Sequence, residues 1–126
     1  MYQIDSMKIL VAEDNPINQQ ILEAMIRLRH WECKVVSNGK EAVEASQTDE
    51  FDLIFMDLNM PVLDGIEATK EIRHYNKSIP IIAVTAYTEE CYREETIKAG
   101  MNGFISKPFT RKDIYDAVTE SCQATG

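Results

Sequence analysis

The stretch LIFMDLNMP, residues 53–61, decides the fold. Leu53 to Met56 are apolar without a break, the run ends at a single carboxylate, Asp57, and Pro61 stands four residues beyond it. An apolar run this short, bounded by turn residues and lacking polar alternation, fits a strand buried on both faces. The pattern recurs in KILVA (8–12), CKVV (33–36), IIAVT (81–85) and GFIS (103–106), each followed by residues with helical spacing. Strands of this kind alternating with helices imply a parallel sheet with helices on both sides, a doubly wound α/β sandwich.

The helices announce their starts. Asn15-Pro16 supplies an N-cap and a proline at the first helical position, and Ile17, Ile21, Met25 and Leu28 then fall on one face, the expected apolar stripe. Asp64 with Glu67, Thr88 with Glu89 and Glu90, and Thr110 with Asp113 mark three further starts, while Gly100 reads as a C-terminal cap. Asn38-Gly39 is a hairpin signal by itself, but the KEAVEAS after it has helical rather than alternating character, so a helix is expected there.

Composition narrows the functional classes. A chain of 126 residues with 44% hydrophobic content suits one domain, 1–126, with a core over about 8–122 and short flexible ends. Thirteen Lys and Arg against 21 Asp and Glu leave a formal charge of −8, which argues against direct binding to nucleic acid or an anionic membrane. Cys33, Cys91 and Cys122 lack the spacing of a zinc site or disulfide framework, in keeping with a reducing cytoplasm. No apolar run approaches the roughly 18 residues of a membrane span, and the opening MYQIDSM is not a secretory signal, so the chain reads as soluble and unprocessed.

In a parallel α/β sheet, ligands bind outside the carboxyl ends of the strands. Glu13 and Asp14, Asp57, Thr85, and Lys107 with Pro108 all follow or end the apolar runs. Each acid alone would be an ordinary solvated loop end. Brought together, three carboxylates repel one another unless a cation sits among them, and oxygen donors without His or thiolate suit Mg²⁺, with Mn²⁺ as a substitute. A hydroxyl on Thr85 and an ammonium on Lys107 are what a tetrahedral dianion needs opposite such a metal.

The segments KILVAEDNPINQQI, DLIFMDLNMPVLDGIEAT, IIAVTAYT and AGMNGFISKPF, in this order, resemble the receiver domains of two-component response regulators over nearly the whole chain. The resemblance implies a flavodoxin-like, five-stranded parallel sheet in the order 2-1-3-4-5. It also implies that Asp57 accepts a phosphoryl group from the phosphohistidine of a histidine kinase or histidine phosphotransfer protein. Asp14 and Asp57 would bind Mg²⁺ directly, Asn59 through its backbone carbonyl, and Glu13 directly or through water. Lys107 would neutralise phosphoryl charge, Thr85 would hydrogen-bond the phosphoryl oxygen, and Phe104 would occupy the switch-aromatic position. Their movement would remodel the surface of the fourth helix, fifth strand and fifth helix. The segment EECYREETIKA (89–99), whose apolar face is chiefly Cys91 and Ile97, has the thin burial that permits such movement.

Ile17 and Ile21, with Pro108 and Phe109, are expected to form the apolar dock for a helical phosphodonor, and Tyr87 with Asn59 to position or restrict hydrolytic water. His30 and His74 are expected at the surface or in packing roles. Where many relatives carry two aspartates this chain has Glu13-Asp14. The wording of NPINQQI and GMNGFISKPF resembles receivers of hybrid sensor kinases, in which kinase activity lies in other domains and the parent protein can be membrane-anchored. A phosphorylation-dependent dimer is a further possibility of this class. Two other classes compete. A haloacid-dehalogenase-like phosphatase needs a second aspartate two residues after its nucleophile, where this chain has Asn59. A receiver-like binding module would work without phosphorylation.

Overall fold

The computed structural model describes residues 7–86 and 90–125. Ten elements alternate: β1 (Lys8–Ala12), α1 (Pro16–Leu28), β2 (Glu32–Val36), α2 (Gly39–Thr48), β3 (Leu53–Met56), α3 (Gly65–Arg73), β4 (Ile81–Thr85), α4 (Glu90–Ala99), β5 (Gly103–Ser106) and α5 (Arg111–Thr125). The strands form one parallel sheet in the order β2-β1-β3-β4-β5, as expected for a flavodoxin-like sandwich.

Two apolar layers sandwich this sheet. On one face Ile9, Val11, Leu53, Phe55 and Ile82 pack against Leu22 and Ile26 of α1 and Ile114 and Val118 of α5. On the other, Leu10, Ile54, Met56, Ile81 and Ala83 meet Ala42 and Ala45 of α2 and Ala68 and Ile72 of α3. Alternate side chains of a strand point to opposite faces, so β1, β3 and β4 need apolar residues at nearly every position. Continuous burial does not extend to the outer strands. In β2, which begins at Glu32 rather than Cys33, Glu32 and Lys34 are exposed, and in β5 only Ile105 is buried. An edge strand meets a neighbour on one side only, so its faces are incompletely covered.

The apolar stripe of α1 is also not the expected one. Leu22 and Ile26 are buried, whereas Ile17, Ile21 and Leu28 are 68%, 41% and 59% exposed and Met25 is half-buried. Seven apolar residues on this helix offer two adjacent stripes, and the direction from which the sheet approaches selects the one through Leu22 and Ile26. Helix starts follow the sequence closely. Asn15 Oδ1 accepts from Ile17 N at 2.9 Å, Asn38 Oδ1 from Glu41 N at 2.8 Å, and Asp64 Oδ1 from Glu67 N at 2.9 Å. Asn38-Gly39 therefore opens a helix and not a hairpin. Thr110 and Asp113 form a reciprocal capping box, each backbone N–H donating to the other's side chain. The Thr88-Glu89 start lies outside the described residues.

Side-chain ties join the outer elements. Trp31 and Tyr115 meet edge to face at 5.9 Å, the Arg29 guanidinium lies over both rings, and the Tyr115 hydroxyl donates to Met25 O at 2.9 Å, binding α5 to α1. On the opposite face Arg73 Nε donates to Gly100 O at 3.0 Å and a second guanidinium nitrogen to Asn102 Oδ1 at 2.8 Å, linking α3 to the turn between α4 and β5. Gly100, with φ 106°, ends α4 as the sequence implies, and a Cβ there would crowd the Arg73 side chain. Thr96 and Ala99 of α4 are buried; of the apolar face expected at Cys91 and Ile97, Ile97 is 71% exposed and the Cys91 side chain lies outside the described residues.

Two stability predictions follow from packing and backbone. Leu22→Ala should lower unfolding free energy by about 2–5 kcal/mol while Ile17→Ala changes it by less than about 0.5 kcal/mol, as measured by urea denaturation. Val62 has φ 69° and is 74% exposed, at the centre of a γ-turn closed by Leu63 N donating to Pro61 O at 2.7 Å, a strained conformation for a β-branched residue. Val62→Gly should therefore raise stability by about 0.5–1 kcal/mol in the same assay.

Candidate functional site

The parallel register carries the ends of all five strands to one edge of the sheet, and the ladder continues a step beyond them. Asp57 N donates to Ala12 O at 3.0 Å and Glu13 N to Val36 O at 3.0 Å, so the residues after β3 and β1 are held side by side. Lys107 N donates to Thr85 O at 2.9 Å, which secures the start of the β5–α5 loop against the end of β4. Backbone pairing thus gathers residues far apart in the chain before any side-chain chemistry is considered.

Glu13 and Asp57 are buried, 1% and 4% exposed, while Asp14 is open to solvent. One carboxylate oxygen from each lies within 4.8 Å of the others. The Lys107 ammonium reaches between the buried pair, 2.8 Å from Glu13 Oε1 and 2.9 Å from Asp57 Oδ2. The remaining oxygens are oriented by backbone donors: Asn59 N to Asp57 Oδ1 and Asn15 N to Glu13 Oε2, each at 3.1 Å. Gly65 lets the start of α3 press beneath this loop, because a Cβ there would stand 2.1 Å from Asp57 O.

Burial pushes the Glu13 carboxyl above its ordinary pKa, a shift opposed by Lys107 and the Asn15 N–H and reinforced by the Asp57 charge. Burial acts to lower the Lys107 pKa, but its contacts with Glu13 and Asp57 outweigh that and raise it. The ammonium is therefore kept charged by the acids it separates.

With all three acids ionised, one ammonium leaves the cluster two negative charges in excess. Glu13 Oε1 is buried and, despite its ion-pair contact with Lys107, receives no well-aligned hydrogen bond among the described residues. An all-oxygen donor set with this charge excess and an under-satisfied buried oxygen fits a hard divalent cation such as Mg²⁺.

The other candidates take distinct places. Thr85 is fully buried at the end of β4. Asn59 is exposed, and its backbone N–H donates to Asp57. Phe104 is half-buried on β5, opposite Ala83, with the Arg93 guanidinium of α4 at 5.3 Å from its ring centre. Ile17, Ile21 and Pro108 are exposed, outside the acid cluster, and Phe109 is half-buried. His30 and His74 are exposed, and Tyr87 lies outside the described residues.

Gln19 belongs to the site but has no chemical signature in the sequence. Its side-chain amide donates to Glu13 O and to Ser37 Oγ, pinning the β1–α1 loop to the β2–α2 loop. The one available signal is spacing: Gln19 stands one helical turn after the N-cap Asn15, whose carbonyl accepts its backbone N–H at 2.9 Å.

Comparison with known proteins agrees with this geometry. The response regulator receiver domain family matches residues 9–119. The osmosensing histidine protein kinase SLN1 of Saccharomyces cerevisiae is 38% identical over 94% of this chain, and the chain spans 10% of that protein. Chemotaxis protein CheY of Halobacterium salinarum is 33% identical over 90% of this chain and 94% of its own length. Among solved structures, the receiver domain of a Pseudomonas aeruginosa sensor histidine kinase, with magnesium coordinated in its active-site cleft, is 38% identical with a TM-score of 0.88. That match covers 94% of this chain and 98% of the other. A chain of the Saccharomyces cerevisiae complex between the phosphotransfer protein Ypd1 and the receiver domain of Ssk1 is 32% identical, with a TM-score of 0.90 and coverage of 98% and 94%. By its sheet order, its acid cluster and the family match over residues 9–119, this chain belongs to the response regulator receiver domains.

Proposed function

We propose that the chain is the phosphoacceptor module of a phosphorelay, and that Asp57 takes the phosphoryl group. The observation that carries this reading is the Lys107 ammonium held between two buried carboxylates, 2.8 Å from Glu13 Oε1 and 2.9 Å from Asp57 Oδ2. Asp57 is both nearly buried and oriented, which suits a nucleophile whose attack needs a defined direction.

In the proposed transfer, an Asp57 oxygen attacks the phosphorus of a phosphohistidine on the donor. The new bond is O–P, the P–N bond breaks, and its electron pair leaves on the donor imidazole. Glu13, Asp14, Asp57 and the Asn59 carbonyl would hold Mg²⁺, or Mn²⁺ in its place; when bound, the ion supplies charge neutralisation to the phosphoryl oxygens. Lys107 is placed to follow the charge from the free carboxylate to the acyl phosphate. Thr85, at the adjacent strand end, would donate to a phosphoryl oxygen, and Phe104 would change its burial beneath α4. The exposed Arg93 and Ile97 on α4 suit such a rearrangement, since among the described side chains of that helix only Thr96 and Ala99 are buried.

The donor would be a histidine kinase or phosphotransfer protein docking on the exposed Ile17, Ile21 and Pro108 beside the acid cluster. The relation to SLN1 and the Ypd1–Ssk1 complex supports this choice. The chain spans about a tenth of SLN1 and 94% of CheY, so the module suits either a hybrid kinase, with the kinase chemistry in other domains, or a stand-alone relay protein. Phosphatase turnover of a separate substrate is disfavoured by Asn59, which offers no acid two residues after Asp57.

Incubation with a small acyl phosphate should add one phosphoryl group to the wild type with Mg²⁺ present, by intact mass, and none to Asp57→Asn or with chelator. A folded wild type that gains no phosphoryl group from either a small donor or a histidine phosphotransfer protein would overturn the proposal in favour of a binding-only module. Gln19→Ala should weaken Mg²⁺ binding about tenfold by calorimetry while the unfolding midpoint moves little, because it loosens the Glu13-Asp14 loop without touching the core.

A further inference from the structure

The two side edges of the sheet are guarded differently. β2 carries Glu32 and Lys34, both exposed, the kind of charge that discourages pairing with another strand. β5 reads GFIS, with neither charge nor proline, and pairs with β4 alone. Residues of a parallel strand turn their backbone groups alternately to one side and the other. Asn102 donates to Ile81 O at 2.8 Å on the β4 side, and Phe104 is in phase with it, so Gly103 and Ile105 turn toward the open edge.

A groove of about 690 Å³ follows that edge from Ser78 and Asn102 to Pro108. Its far wall is α5, where Asp113, Asp116 and Glu120 recur at spacings of three and four and are all exposed. Among the described residues its lining holds these three carboxylates and no Lys or Arg. Lys112 pairs with Asp116 at 2.7 Å from outside the groove, but that contact is solvent-exposed and readily exchanged.

We propose that the β5 edge accepts an extended, basic segment of a partner protein as a sixth strand, its alternate Lys or Arg side chains facing the acidic row of α5. Backbone pairing with Gly103 and Ile105 supplies affinity, and the carboxylates supply selectivity for charge. Charge also decides the occupant. A second copy of this chain would bring its own acidic row and a net charge of −8 to the same edge, so like charges oppose self-pairing there. Glu13, Asp14 and Asp57 do not line this groove, although Phe104 and Pro108 do, so the strand pairing is read on the unphosphorylated chain.

The test uses isotope-labelled full-length chain and an eight-residue capped peptide of alternating Lys and Val. The control is an equally charged peptide with prolines in place of the valines, which cannot pair as a strand. Nuclear magnetic resonance should show amide shifts concentrated at Gly103–Ser106 and along Asp113–Glu120, with slowed exchange at Gly103 and Ile105, for the Lys-Val peptide only. The double variant Asp116→Asn, Glu120→Gln should bind it about threefold to tenfold more weakly with β5 unperturbed in the free protein. Equal shifts from both peptides, spread over the acidic surface, would reduce the effect to nonspecific charge and overturn the proposal. So would self-association of the chain through β5 without peptide.

Discussion

Two carboxylates are buried next to each other at the end of the sheet, and the site depends on how their repulsion is managed. Glu13 and Asp57 are brought together by backbone hydrogen bonds that continue the ladder past β1 and β3, a placement the side chains themselves oppose. The Lys107 ammonium separates them and is kept charged by them. Removing it would leave buried charges unpaired, which in other proteins costs about 3–5 kcal/mol. The fold supplies the force that holds this arrangement: the apolar strands around it are almost wholly excluded from solvent and set the register that brings the three residues together.

Away from this fixed centre, cohesion is graded. α1 and α5 are tied through Trp31, Tyr115 and Arg29 over a deep apolar layer. Among the described side chains of α4 only Thr96 and Ala99 are buried, and Arg73 grips the turn behind it at Gly100. The acid cluster and α4 lie at different parts of the sandwich. Arg73 sits between them, since Asn102 Oδ1 accepts both from its guanidinium and from Ile81 N at the start of β4.

The outer strands show how little local sequence constrains an edge. β2 and β5 are both short and adjoin one neighbour each, yet one is guarded by charge and the other by none. Position in the sheet order, not strand character, determines which backbone groups face solvent. The same holds for α1, whose exposed Ile17 and Ile21 belong to a stripe as apolar as the buried one.

Periodicity and composition by themselves determined the alternation of strand and helix, the parallel sheet and most helix starts, because apolar runs and capping residues act within a few positions of one another. Motif order pointed to the receiver family, and with it to Asp57, Thr85 and Lys107 as one site. Local signals ran out where the physics became nonlocal. Which stripe of α1 faces the sheet, that β2 and β5 are only partly covered, and that Ile97 is exposed depend on neighbours distant in sequence. Gln19 escaped notice because a neutral amide one turn into a helix looks like any surface residue until the fold brings Glu13 O and Ser37 within its reach. Tertiary structure also decided that Lys107 bridges Glu13 and Asp57, since only the strand register sets the distances over which an ammonium can separate two acids.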